Sequence, residues 1–323
     1  MRRIAVMTSG GDAPGMNAAI RAVVRTATAY EMEVYGIRQA YKGLLAGDIE
    51  RLGNREVSGI LQRGGTILQT ARNKEFMEEP GQKRGLRRLN EHGIDGLVVI
   101  GGDGSLRGAM ALCRLGVPVI GIPGSIDNDI YGTDMSIGVD TALNTILDAI
   151  DRIRDTATSH ERAFLIEAMG RNCGYLAMMS SILGGAEVVH IPERPMDVEQ
   201  IGQALEDAYL RGKNHAIAVM AEGANPKIYE VKDYLDKSTQ VGFEVRVVIL
   251  GHTQRGGSPT AFDRLLATRM GVKAVQFLNE GKSGVMVGVQ GSHIGYVPLE
   301  EVVATKRDFD LEKWTEIAHI LSR

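Results

Sequence analysis

Short runs of consecutive apolar residues alternate with helical patterns from one end of the chain to the other. Residues 4–8 (IAVMT) read as a buried strand. After the loop Ser9-Gly10-Gly11-Asp12-Ala13-Pro14-Gly15, the residues Met16, Ala19, Ile20, Val23, Val24 and Ala27 recur at the spacing of one apolar helix face. Further strands are predicted at residues 33–37, 96–100, 117–122, 163–167, 216–221, 245–250 and 285–289. Several are apolar at consecutive positions, the pattern of parallel strands covered on both faces. Residues 141–154 read as a helix with Leu143, Ile146, Leu147, Ile150 and Ile153 on one side. Strand, helix, strand over the whole length predicts an α/β protein with largely parallel sheets. No low-complexity segment, internal repeat or Pro/Ser-rich linker marks a domain boundary.

Composition narrows this picture. A length of 323 residues suits about two domains. With 44% hydrophobic and 24% charged residues the chain has the balance of a globular protein, not a disordered one. The net charge of −3 supplies no basic field for nucleic acid or membrane, so neither is an expected partner. No apolar run reaches the ~18 residues that span a bilayer. The N-terminus MRRIAVMTSGGDAPG does not read as a signal peptide, and a cytoplasmic protein is expected. Cys113 and Cys173 offer neither a disulfide framework nor metal-site spacing, so both are expected as reduced, packed thiols.

The chemistry gathers in the loops that follow the strands, where open α/β sheets bind their ligands. These loops are Gly10–Gly15, Gly101-Gly102-Asp103-Gly104-Ser105, Pro123-Gly124-Ser125-Ile126-Asp127-Asn128-Asp129, Met169-Gly170-Arg171, Glu222-Gly223 and Gly251-His252-Thr253-Gln254-Arg255. Each places glycine beside an acid, an arginine or a histidine. Backbone N–H groups in glycine loops can approach phosphate oxygens, and the helix that starts next adds its positive end. One such loop could merely close a tight turn; their repetition favours phosphate binding. Neither G-x-x-x-x-G-K-[ST] nor G-x-G-x-x-G is present, which counts against Walker-type NTPases and ordinary dinucleotide dehydrogenases.

Phosphoryl transfer needs a metal to neutralise phosphate charge and an acceptor for the hydroxyl proton. Asp103 and Asp129 are candidates for the metal and Asp127 for the base, although Asp and Asn also cap turns and helices. Arg72, Arg162, Arg171, Arg246 and Arg255, in or near loops and strand ends, could hold a phosphate. Arg21 and Arg25, one turn apart, and Arg154, Arg211, Lys213 and His215 form a second basic group. By spacing alone it reads as solvated surface charge.

The motifs TSGGDAPGMN, VIGGDGS, PGSIDND, MGR, AEG and GHTQRGGSP together resemble the bacterial-type 6-phosphofructokinase family over nearly the whole chain. GGDG alone is weakly specific; its combination with the other two long motifs is highly specific. The resemblance implies two Rossmann-like three-layer αβα domains of the phosphofructokinase fold. Residues 1–138 plus 251–305 would form the larger, ATP-binding domain, and 139–250 plus 306–323 the smaller, fructose 6-phosphate-binding one. It implies transfer of the ATP γ-phosphoryl group to the 1-hydroxyl of fructose 6-phosphate with Mg²⁺.

By motif, the resemblance makes Asp127 the base. Gly11, Arg72 and Arg171 would border the transferring group, with Ser125 standing where the family usually has Thr. Tyr41, Asn73, Gly102, Gly104, Ser105 and Gly108 would line the nucleotide site, and Asp103, with Asp129, would serve Mg²⁺. Ser125, Asp127, Asp129, Arg162, Met169, Gly170, Arg171, Glu222, Arg246, His252 and Arg255 would hold the sugar phosphate. A homotetramer is implied, with Arg162 and Arg246 reaching a neighbour's sugar. So is an effector site for ADP or phosphoenolpyruvate at Arg21, Arg25, Arg154, Gly185, Glu187, Arg211, Lys213 and His215, which reverses the solvation reading.

Asn54 and Asn214 depart from the family pattern at that site, and Asn73 and Met77 near the adenine. Pyrophosphate-dependent relatives generally carry Asp and Lys where this chain has Gly104 and Gly124, which favours ATP. A catalytically silent sugar-phosphate sensor is the alternative from another class, but the base and the phosphate arginines are retained.

Overall fold

The computed structural model describes residues 1–237 and 242–321. Its strands, in chain order, are β1 (Arg3–Ser9), β2 (Glu33–Ile37), β3 (Ile49–Leu52), β4 (Gly96–Gly101) and β5 (Val119–Pro123). They continue with β6 (Arg162–Ala168), β7 (Val188–His190), β8 (Ala216–Ala221), β9 (Glu244–Ile249), β10 (Val285–Gln290) and β11 (His293–Pro298). The chain divides into two compact units. Unit 1 comprises Met1–Thr141 and Arg255–Arg307, and unit 2 comprises Ala142–Gln254 and Asp308–Arg323.

Unit 1 is built on a seven-stranded sheet in the order β11-β10-β5-β4-β1-β2-β3. The inner strands run parallel, and β3 and β11 close the edges antiparallel. Ile4, Ala5, Val6 and Met7 of β1 and Leu97, Val98, Val99 and Ile100 of β4 have no exposed surface, as parallel strands covered on both faces require. On one face Ala5, Met7, Leu97 and Val99 pack with Leu44, Leu89, Leu106 and Leu112 from the helices Ala40–Ala46, Glu79–Glu91 and Asp103–Arg114. The other face carries helices Met16–Ala29 and Ala261–Asn279. Each fully buried aliphatic side chain contributes about 1.5–3 kcal/mol.

Register sets the height of the loops. Ser9 pairs with Gly101, and Gly101 with Pro123, so the chain leaves β1, β4 and β5 level with one another. The strand order reverses between β1 and β4, the switch point at which open α/β sheets bind ligands.

The boundary of unit 1 at Thr141 is held by a buried acid. Asp263 accepts from Gly138 N (2.9 Å), Thr141 N (2.8 Å) and Thr141 Oγ1 (2.6 Å). Burial pushes its carboxyl above the usual range, opposed by these hydrogen bonds.

Unit 2 has a four-stranded parallel sheet, β7-β8-β6-β9. Ala163 and Leu165, Ala216 and Ala218, and Val245 pack with Ile201, Leu205, Val231 and Leu235 from the helices Val198–Leu210 and Ile228–Lys237. Ala168 pairs with Ala221 and Glu167 with Ile249, so three loops again leave the sheet at one level.

The fully buried His190 sits in this core. Its Nε2–H donates to Pro226 O (3.2 Å) and its Nδ1 accepts from Met196 N (3.2 Å), a pairing only the neutral ring can make. Burial lowers its pKa from the ordinary value of 6.5. Below that value the unfolded chain binds a proton that the folded ring resists, so stability is lost as the pH falls from it. The wild-type melting temperature should therefore drop between about pH 7.5 and 5.5, while His190→Gln, less stable at the upper end, gives a flatter profile by calorimetry. Parallel profiles for the two proteins would remove His190 as the cause.

Among the described residues no helix is long and apolar enough to cross a membrane.

Candidate functional site

In unit 1 the loops after β1, β4 and β5 meet at the switch point. Gly10 has φ +88°, and a Cβ there would lie 3.1 Å from Ser105 Oγ, so the first loop rests directly on the second. The second loop opens onto helix Asp103–Arg114, with Gly102 in extended conformation at its N-cap. The third is tied to the second by Gly124 N donating to Gly101 O (3.0 Å). Within it Asp127 N donates to Ser125 Oγ (3.2 Å), and Ser125 Oγ donates to Asp129 Oδ1 (3.5 Å). Ser125 thus arranges both acids through the hydroxyl that Ser and Thr share.

Arg255 joins the first loop to the third. Its Nη1 donates to Asp12 O (3.2 Å), and its Nη2 lies 4.0 Å from Asp127 Oδ1. The Asp127 side chain is 2% exposed and that of Arg255 is 12%. A carboxylate so buried needs an opposing charge, and the guanidinium supplies it. A side chain at Gly11 would run into this same guanidinium.

Around this centre the nucleotide candidates divide by what already holds them. Asp103 stands in the first turn of its helix, pairs with Arg107 (3.0 Å) and is 43% exposed. Tyr41 is buried: it stacks on Phe76 at 4.1 Å and its hydroxyl donates to Ser105 O (2.6 Å). Burial raises its pKa far above the usual phenol, so it remains a donor. Gly108 faces the Tyr41 ring, where any Cβ would collide. The Asn73 side chain accepts from Phe76 N (2.8 Å) and caps the short turn Glu75–Met77, while Arg72 is exposed.

In unit 2 the loops after β6, β8 and β9 carry Met169–Arg171, Glu222 and His252. Glu222 accepts from Gly170 N (3.2 Å) and Arg171 N (2.7 Å), and Gln254 Oε1 accepts from Met169 N (3.1 Å). Arg171 has φ +51° and Gly170 +141°, so the chain turns sharply here. Sequence reasoning picked out Glu222 but missed Gln254 as a brace.

Arg162 and Arg246 stand elsewhere. Arg162 is the first residue of β6 and Arg246 the third of β9, toward the ends opposite Met169–Arg171. One acid, Glu244, unforeseen from sequence, pairs with both: Arg162 Nε lies 2.7 Å from Glu244 Oε2, and Arg246 contacts Glu244 Oε1. Arg162, followed by burial in the opposite sense and then Arg246, draws the Glu244 carboxyl below its usual range. The pair is exposed enough that its stabilising effect is small.

Most of the second basic group assembles beside this same amino-terminal side of the unit 2 sheet. Lys213 Nζ lies 2.9 Å from Glu187 Oε1, and Ile217 N donates to Glu187 Oε2 (2.6 Å). Arg154 contacts Gly184 O and Gly185 O at the end of helix Tyr175–Gly184, where a cation is favoured, and Nη1 lies 3.1 Å from His215 Nε2. Burial lowers the His215 pKa, Glu187 opposing. Arg211 is exposed nearby in sequence, and Arg21 and Arg25 belong to helix Met16–Ala29 of unit 1.

A chain that aims glycine turns, helix starts and guanidinium groups at the switch points of its sheets is built to handle phosphate. The family model for phosphofructokinase matches residues 3–278, and the chain belongs to that family. It is 53% identical over 314 residues to an ATP-dependent 6-phosphofructokinase of Halalkalibacterium halodurans, covering 97% of this chain and 98% of that one. An ATP-dependent 6-phosphofructokinase of Thermotoga neapolitana is 52% identical over 323 residues, with both chains covered completely. Among solved structures, the phosphofructokinase of Saccharomyces cerevisiae has a TM-score of 0.87 at 37% identity, covering 100% of this chain. The chain spans about half (48%) of the length of that yeast chain.

Proposed function

We infer that the protein transfers the γ-phosphoryl group of ATP to the 1-hydroxyl of fructose 6-phosphate, giving ADP and fructose 1,6-bisphosphate. The observation that carries this reading is the meeting of Gly11, Arg255 and the buried Asp127 at the unit 1 switch point. Asp127 takes the hydroxyl proton as the sugar oxygen attacks phosphorus, and Ser125 keeps its carboxylate oriented. Arg72 and the backbone at Gly11 stabilise charge on the moving phosphoryl group. Unit 1 binds ATP through residues 102–105 and Gly108, with Tyr41 bracing that turn from beneath and Asn73 holding the segment beside it.

The donor set fits Mg²⁺. Among the described residues no group of three or more His, Cys, Asp or Glu could hold a metal by itself. Mg²⁺ is ordinarily bound by one or two carboxylates together with phosphates and water. Asp103, half exposed at a helix start, would hold it with Asp129; when bound it supplies charge neutralisation at the phosphates.

In unit 2, Met169, Gly170, Arg171, Glu222 and His252 bind the sugar phosphate. Arg162 and Arg246 serve the sugar of a second copy in a homotetramer. Support comes from β6 itself, whose two ends hold Arg162 and the Met169 loop about 20 Å apart. Arg154, Gly185, Glu187, Arg211, Lys213 and His215, with Arg21 and Arg25, receive an anionic effector, ADP or phosphoenolpyruvate. The reaction takes place in the cytoplasm.

The position of Gly104 supports ATP over pyrophosphate. A Cβ there meets nothing within 4 Å, leaving open space, whereas one at Gly124 would meet Met16 and Ile100 at 3.1 and 3.3 Å. Steady-state assays with fructose 6-phosphate should give turnover with MgATP and little with pyrophosphate. Gly104→Asp should raise the KM for ATP about tenfold or more, by setting a carboxylate against the nucleotide's phosphates. Comparable rates with the two donors in the wild type would overturn the assignment.

A further inference from the structure

Asp127 and Asp129 flank Asn128, a fully buried residue at φ +53°. The left-handed conformation is one that Asn tolerates better than most side chains, but it must be held. The Asn128 side chain does part of this by donating to Asp134 O (3.2 Å) and accepting from Ser136 N (3.1 Å). Its main-chain carbonyl belongs to the peptide that joins Asn128 to Asp129. Rotating that peptide would turn the two acids relative to each other.

Arg307 grips this peptide. Its Nη1 donates to Asn128 O (2.7 Å) and its Nη2 to Asp134 O (2.7 Å). One planar guanidinium therefore spans the loop from the carbonyl between the acids to the carbonyl six residues on. The far side of the loop is anchored to β10 and the turn after it. Asp134 N donates to Val289 O (2.8 Å), Val289 N to Thr133 Oγ1 (3.1 Å), and Gly291 N to Asp134 Oδ2 (2.6 Å). The stiffness of the sheet thus reaches the Asn128–Asp129 peptide through Arg307. Arg255, for its part, faces the Asp127 carboxylate itself.

We propose that Arg307 is a positioning residue for phosphoryl transfer, fixing the Asn128–Asp129 peptide and through it the aim of the Asp127 and Asp129 carboxylates. The proposal rests on the assignment of Asp127 as base. Arg307 acts through the main chain, and lysine cannot reproduce its two parallel bonds.

The test uses the full-length enzyme with Arg307→Lys and Arg307→Ala. A misaim of a fraction of an ångström to about 1 Å should lower kcat about 10- to 100-fold in both variants. Added guanidinium ion at millimolar concentration should restore part of the lost kcat in Arg307→Ala and none in Arg307→Lys, where the cavity is filled. Amide exchange at Ser136, whose N–H is held by Asn128, should accelerate in both variants. This arm reads the clamp whether or not the protein turns over fructose 6-phosphate, so it separates failure of the clamp from failure of the functional reading. Unchanged kcat, or a loss of kcat that follows falling melting temperature without rescue, overturns the positioning role. Unchanged exchange at Ser136 overturns the clamp itself.

Discussion

Asp127→Asn should lower kcat by about 10²- to 10⁴-fold, the span associated with removing a positioned general base. The amide has nearly the shape of the carboxylate, so the Ser125 contact to the main chain survives and the loop keeps its path. What disappears is the carboxylate proposed to take the proton, which also faces Arg255, 4.0 Å away. The KM for fructose 6-phosphate should move by less than about threefold or fall, because the hydroxyl proton is transferred only in the transition state. Steady-state kinetics with MgATP measure both quantities. A variant with wild-type kcat would transfer the role of base to another group.

The second large effect concerns Arg162. Arg162→Ser should weaken fructose 6-phosphate by about 2 kcal/mol or more, about 30-fold in KM, since the charge proposed to face the sugar phosphate is removed. More telling is a mixture. Arg162→Ser and Asp127→Asn subunits are each impaired alone, yet mixed tetramers formed by co-expression should recover about a quarter of wild-type sites. The recovery is what the proposed sharing of sites between subunits requires, and Arg162 and the Met169–Arg171 loop do terminate opposite ends of β6. Activity in the mixture no greater than the sum of the separate variants would place both residues in the same chain's site.

How much of this is legible in the amino-acid sequence depends on burial. β1, β4, β6 and β8 can be read from consecutive apolar residues, because parallel strands covered on both faces leave no polar alternation. β3 escapes that reading: half of IERL is charged, and the strand lies at an edge. β7 is three residues long, and β11 (HIGYVP) carries a glycine and ends on a proline along the other edge. Helix Val139–His160 outruns the expected 141–154 because its last turns, DTATSH, are held by backbone bonds and carry little apolar pattern.

The strand-end loops are legible because glycine recurs there, and the structure sets them after β1, β4, β5, β6, β8 and β9. The residues that hold those loops are not. Gln254 stands inside the loop 251–255 without showing that it braces Met169, while Glu244, Asp263 and Arg307 carry no local signature, and only the folded chain shows what each one touches. The union of Arg162 with Arg246 under one carboxylate likewise depends on the β6–β9 register, which sets Arg162 beside Glu244 and has no local signature.

The pairing of β10 with β5 has a consequence for how the molecule comes into being. Ile120 and Gly121 must wait for Val285 and Met286, more than a hundred and sixty positions later, before their flank is satisfied. During synthesis the nascent sheet therefore displays an open hydrogen-bonding border while all of the intervening polypeptide emerges from the ribosome. Asp263 and Arg255 also arrive late, so the buried Asp127 cannot acquire its countercharge until most of the chain has been made. Maturation should accordingly be slow, and sensitive to anything that delays the final sixty residues.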